Sequence, residues 1–186
     1  MTLKELWELF PIVLMPYDPR YKEWYETQRR RIYDGIKPDM IARINHIGSS
    51  AVEGLISKPT VDMLLEIDGR CPVARLTHDL EAMGWGLMQR VDDPMRLAFN
   101  KGYTPDGFAE KVYHLHVRYV GDWDELYFRD YLMAHPDVAA EYAELKLRLW
   151  RAYEHDRDGY TEAKSEFVLK YSQEARREFG ERYRAR

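Results

Sequence analysis

The sequence predicts an α+β fold: a mixed β-sheet backed by helices, followed by a C-terminal helical segment. Three observations predict it. An apolar strand run, Thr60-Val61-Asp62-Met63-Leu64-Leu65-Glu66-Ile67, is closed by Asp68-Gly69. Further extended segments cluster before residue 120, and from residue 122 the apolar period becomes helical and stays so. Grouped strands followed by grouped helices mark an α+β domain, and 186 residues suit one domain spanning 1–186.

The elements follow in order. After a Pro-Tyr-Asp-Pro turn at Pro16 to Pro19, Tyr21, Trp24, Tyr25, Ile32, Tyr33 and Ile36 recur at helical spacing, and Gly35 and Pro38 end that helix. Residues 40–47 alternate as a strand. Gly48 and two serines break it before a short helix over 51–55. The strong strand over 60–67 comes next, then a helix over 72–83 stopped by Gly84. Extended pieces over 85–91, 95–103 and 112–120 complete the sheet. Three helices follow. Trp123, Leu126, Tyr127 and Tyr131 mark the first; His135-Pro136-Asp137 separates it from a second carrying Val138, Tyr142, Leu145 and Leu149. A loop over 156–159 precedes the last, which carries Phe167, Val168, Tyr171, Ala175 and Phe179.

Composition bounds the function classes. The chain is 45% hydrophobic and 32% charged, and no apolar run approaches the roughly 18 residues of a membrane span, so a soluble protein is expected. The amphipathic N-terminus contains Glu5 and Glu8 and lacks a small-residue cleavage site, which makes it a poor signal peptide and the cytoplasm the expected location. The lone Cys71 precludes an internal disulfide or a thiolate zinc cluster, and packing is its expected role. A net charge of −4 gives no reason to expect nucleic acid as a partner. Arg29-Arg30-Arg31 reads as a solvated helix face, and Arg176, Arg177, Arg182, Arg184 and Arg186 as a frayed tail. The tyrosines and tryptophans follow the helical stripes and read as core.

Chemistry-bearing residues concentrate between 46 and 66. His46-Ile47-Gly48-Ser49-Ser50 is a strand end turning into a helix start, where glycine lets backbone N–H groups approach an anion and serine hydroxyls add donors. Such turns are more often structural, so the next strand supplies the context. Asp62 and Glu66 share one strand face but lie about 13 Å apart, too far to share a metal, and the intervening Leu64 is apolar. Asp62 needs a partner, such as Lys58 or Arg43; Glu66 is expected at the solvent end. His114 and His116 also share a face and, with Asp62, form a two-histidine, one-carboxylate pattern that fits a transition metal or hydrogen-bonded sheet residues equally well. Lys58, Arg96, Lys101 and Arg118 are cations near the sheet. Lys146 and Lys164 sit on late helices where solvated surface is the ordinary expectation.

These residues belong to a longer pattern: Pro16-Tyr17-Asp18-Pro19, residues His46 through Leu55, Lys58-Pro59-Thr60-Val61-Asp62, His114-Leu115-His116-Val117, Phe128-Arg129-Asp130-Tyr131-Leu132, His135-Pro136, Tyr142, Lys146, Tyr160, Lys164 and Phe167. The pattern resembles the bacterial GrpB family, whose members have the nucleotidyltransferase fold. The resemblance implies a nucleotidyltransferase-like mixed sheet with the Gly-Ser turn beside the acidic strand. In active nucleotidyltransferases that turn holds the triphosphate and two carboxylates one residue apart bind metals, with a third on a later strand. Gly48-Ser49 and Asp62 match; Leu64 stands at the second carboxylate position and His116 at the third.

The expected function is binding of a nucleotide or other phosphorylated small molecule, with metal-dependent nucleotidyl transfer as the implied reaction. Gly48, Ser49 and Ser50 would hold phosphate, Lys58 and Lys164 would add charge, and His46 would orient the ligand. Asp62 and His116 are the catalytic candidates, and Asp62, His114 and His116 the metal candidates for magnesium or manganese, with zinc as the alternative. Two other readings are a noncatalytic module with a degenerate site and a transition-metal hydrolase built on His114, His116 and Asp62. Oligomeric state is outside what the sequence predicts.

Overall fold

The structure, a computed structural model, describes residue 5 and residues 8–184. Residues 1–4, 6 and 7 of the N-terminal segment read for a leader, and Arg186 of the basic tail, lie outside those residues. Helix α1 (Arg20–Gly35) leads into β1 (Ile41–Ile47) and β2 (Thr60–Ile67); α2 (Val73–Ala82) crosses to β3 (Gly86–Asp92), β4 (Met95–Thr104) and β5 (Gly107–Tyr119). Four helices follow: α3 (Asp124–Ala134), α4 (Pro136–Tyr153), α5 (Arg157–Glu162) and α6 (Ser165–Phe179).

The five strands form one mixed sheet in the order β1-β2-β5-β4-β3, with β2 and β5 parallel and the other pairs antiparallel. Side-chain alternation then divides the residues between two faces. Val61, Met63, Leu65 and Ile67 of β2, with Tyr113, Leu115 and Val117 of β5, join Leu97 and Phe99 in the main core under α1 and α2. Asp62, Leu64 and Glu66 therefore point to the second face, with His114, His116 and Arg118. There the C-terminal helices pack: Leu126 of α3 meets Leu64 and Ile47, and Val52 and Leu55 join Phe128, Leu132, Val138, Tyr142 and Tyr171. Burying a Leu in this way contributes roughly 1.5–3 kcal/mol.

Several expectations need correction. The final strand begins at Gly107, not at 112, because Thr104 pairs with Gly107 across a tight turn. The expected loop over 156–159 opens α5, where the Asp156 side chain accepts from the Gly159 N–H, so four helices follow the sheet rather than three. The short helix after Gly48 is a single 3-10 turn over Ser49–Ala51, with no helix dipole to offer an anion. The C-terminal tail is pinned as far as it is described: Arg176 pairs with Asp122 and Asp124, Arg182 pairs with Asp130, and the Tyr183 hydroxyl donates to Asp130. Among the described residues no helix is long and apolar enough to cross a membrane.

Candidate functional site

Gly48 leaves β1 with φ +71°, and a side chain there would place its Cβ 2.8 Å from Asp62 Oδ2. The turn therefore lies directly against the carboxylate. Ser49 faces α4: its Oγ accepts from Lys146 Nζ at 3.0 Å, and the same ammonium donates to the Ile56 carbonyl. Ser50 Oγ instead lies 3.1 Å from His46 Nε2, and the His46 ring stacks on Tyr25 with centroids 4.9 Å apart.

Asp62 is held by the neighbouring strand. Parallel pairing sets Asp62 opposite His114, and His114 Nδ1 lies 3.2 Å from Asp62 Oδ1. With the carboxylate ionised, Nδ1–H donates to it, which leaves Nε2 to accept from the Tyr103 hydroxyl at 2.8 Å. Tyr103 in turn accepts from Arg157 Nη2 at 3.2 Å. Burial would raise the Asp62 pKa, but the His114 hydrogen bond and the fields of His114, His116 and Lys58 hold it down at about 2.

Lys146 is buried to 2% exposure rather than solvated. Burial, reinforced by Lys164 and Lys58, depresses its pKa to about 7. Burial and Lys58 likewise bring Lys164 to about 7, against a favourable field from Asp62, and its Nζ sits 4.1 Å from the Tyr160 ring centroid. Lys58 is lowered by burial and by Arg157, again opposed by Asp62. These mutual effects put the three lysines and Asp62 in one electrostatic neighbourhood. Burial lowers His116 and takes His46 down to about 4, so both are neutral imidazoles near pH 7.

The structure thus brings Gly48, Ser49, Lys58, Asp62, His114, His116 and Lys164 together, and moves His46 and Ser50 to the other wall of the turn. Those two line a cavity of about 820 Å³ with Arg129, Tyr25 and alanines of α4, which none of the Asp62 cluster enters. A second cavity of about 310 Å³ opens beside the cluster, lined by Tyr103, His114, His116 and Arg157.

Glu66 is a correction: it is fully buried, not at the solvent end, and pairs with Arg43, which the sequence offered as a partner for Asp62. Lys101 reaches the Met83 carbonyl on the opposite face, and Arg118 pairs with Glu125 at 2.5 Å. The expected metal set meets but does not fit a metal: both His114 nitrogens are engaged, His116 Nε2 is 4.0 Å from Asp62 Oδ1, and Leu64 fills the next position. Among the described residues no group of three or more His, Cys, Asp or Glu side chains is placed to hold a metal.

Sequence reading missed Tyr103, Arg157 and the burial of Lys146. For Lys146 a signal existed, since it continues the buried Val138–Tyr142 stripe of α4 at i+4. Tyr103 and Arg157 carried none, because only the hairpin and α5 bring them to His114.

Comparison with known proteins places the chain in a family. The family model described as GrpB protein matches residues 11–174. The glutamate-rich protein GrpB of Alkalihalophilus pseudofirmus is 30% identical over 84% of this chain and 91% of its own. A UPF0157 protein of Pseudomonas aeruginosa is 35% identical over 86% of this chain, and UPF0157 protein YqkA of Bacillus subtilis 28% identical over 94%. The chain spans 65% and 51% of those two relatives' lengths. The crystal structure of conserved protein GrpB from Enterococcus faecalis superposes with TM-score 0.78 at 26% identity, covering 90% of this chain and 99% of that one. The Cid1 poly(U) polymerase with Mg and 3′-dATP bound gives TM-score 0.52 at 13% identity over 87% of this chain and 51% of its own, a likeness of fold alone. The chain, with its nucleotidyltransferase-like sheet, belongs to the GrpB family.

Proposed function

We propose that this protein binds a nucleotide or other phosphorylated small molecule, in a cytoplasmic setting, with phosphate seated at the Gly48–Ser49 turn. The observation that carries the reading is the buried Lys146 ammonium bonded to Ser49 Oγ beside that glycine. A fully buried ammonium is costly unless its donors are met. Lys146 has the Ser49 hydroxyl and one carbonyl for its three donors, and Lys164 and Lys58 add further positive charge. A phosphate oxygen meets all of these needs. His116 and the His114–Tyr103–Arg157 chain line the adjoining cavity and position the rest of the ligand there.

Calorimetric titration with ATP as the probe tests the reading. Ser49→Ala combined with Lys164→Met is expected to weaken binding at least tenfold, about 1.4 kcal/mol. An unchanged affinity in the folded variant contradicts the assignment. The fold held in common with the Cid1 polymerase favours a second reading, nucleotidyl transfer at the same turn with Asp62 and His116 as its catalytic residues. Release of pyrophosphate from a nucleoside triphosphate supports transfer; thermal stabilisation by the triphosphate without release supports a binding module.

A further inference from the structure

Resting on the phosphate reading, we infer that the ligand is a polyphosphate taken up free of metal, with Lys58, Lys146 and Lys164 neutralising it in place of divalent ions. Three observations lead there. First, the position next to Asp62 on the same strand face is closed to a second carboxylate: Leu64 has no exposure and packs under Ile47 and Leu126. Second, the site's one carboxylate is already occupied by His114, whose other nitrogen is bonded to Tyr103, so Asp62 and His114 serve each other. Hard magnesium needs several free oxygen donors, and a single engaged carboxylate does not supply them.

Third, the lysines here lack carboxylate partners of their own. None of the three lysines makes an ion pair among the described residues, and the field of Asp62 acts on Lys58 and Lys164. Elsewhere on the same face the cations are matched, Arg43 by Glu66 and Arg118 by Glu125. The three side chains come from three elements, Lys58 from the loop before β2, Lys146 from α4 and Lys164 from the turn before α6, so a chain of phosphates has more than one ammonium to reach beyond the Lys146–Ser49 contact. A single phosphate engages fewer of these donors than a chain of two or three does, so affinity rises along the series orthophosphate, pyrophosphate, tripolyphosphate. In this arrangement Asp62 limits affinity, since its charge opposes the ligand's, and its contribution is to keep the lysines protonated and the His114 ring oriented.

The test is calorimetric titration of the whole chain with inorganic tripolyphosphate, once in EDTA and once in excess magnesium. The inference predicts binding in EDTA, at least fivefold weaker binding in magnesium because the metal competes for the same oxygens, and at least tenfold weaker binding of Lys164→Met, a partly exposed position suited to a folded variant. Asp62→Asn, which keeps an acceptor for His114, is predicted to bind as tightly or tighter in EDTA. Binding that requires magnesium or manganese, or that Asp62→Asn abolishes, overturns the inference and leaves the phosphate reading standing. Orthophosphate binding as tightly as tripolyphosphate also overturns it. No binding of any of the three anions under either condition removes the phosphate reading itself.

Discussion

At Gly48 the backbone takes φ +71° with Asp62 Oδ2 where a Cβ would point. Gly48→Ala combines that clash with backbone strain and is expected to cost about 1–3 kcal/mol, lowering the melting temperature by several degrees. A melting temperature within one degree of the parent would contradict the close packing of turn and carboxylate. Lys146 gives a prediction in pH. It is faced by Lys164 and Lys58 and packed beside Tyr142, whose own pKa is raised chiefly by burial. With its pKa depressed to about 7, Lys146 is largely neutral above that value. An anion favours the charged form, so binding takes up a proton. Affinity for pyrophosphate should be highest below about pH 7 and fall as pH rises, and calorimetry in buffers of different ionisation enthalpy should report proton uptake. Proton release on binding would contradict it. His46 acts in the other direction: with a folded pKa of about 4 against 6.5, it is held neutral, and the stability this gives is lost as pH falls from about 6.5 toward 4. Of these residues Gly48, Ser49 and Asp62 were legible from a strand-turn-strand pattern, whereas a lysine's burial depends on what covers its helix.

Among the elements, β2 was read from the sequence almost residue for residue, because its alternation is strong and its ends carry turn chemistry. What alternation does not give is the neighbour. Only the parallel pairing of β2 with β5 sets Asp62 against His114, and only the β4–β5 hairpin delivers Tyr103. Two substitutions on β2 separate structure from site. Glu66 accepts from both Arg43 and the Gly121 N–H in a buried position, so Glu66→Ala should destabilise the protein by about 3 kcal/mol in chemical denaturation. Arg43 also donates to the carbonyls of Gly121 and Tyr183, so the loss should extend to the C-terminal segment. Leu64→Asp, which would recreate the second carboxylate, should cost about 4 kcal/mol through burial of an unpaired charge. A change below 1 kcal/mol, together with new magnesium binding, would show that the position is open after all.

For the molecule as a whole, the α+β class and the helical C-terminal segment followed from where the apolar period changes. Which face of the sheet those helices cover was not legible, since contacts such as Leu126 on Leu64 and Lys146 on Ser49 join residues distant in sequence. That closure buries Lys146 against the Gly-Ser turn, and the hollow beside His114 and His116 is distinct from the one beside His46 and Arg129. Phosphate, on the reading proposed above, belongs to the Ser49–Lys146 side of the turn. Crystals soaked in tungstate, a heavy phosphate mimic, test it most directly through the anomalous difference map. A peak is expected within hydrogen-bonding reach of Ser49 Oγ and Lys146 Nζ, near Gly48; a peak confined to the His46–Arg129 cavity, or none at the turn, would contradict the phosphate assignment.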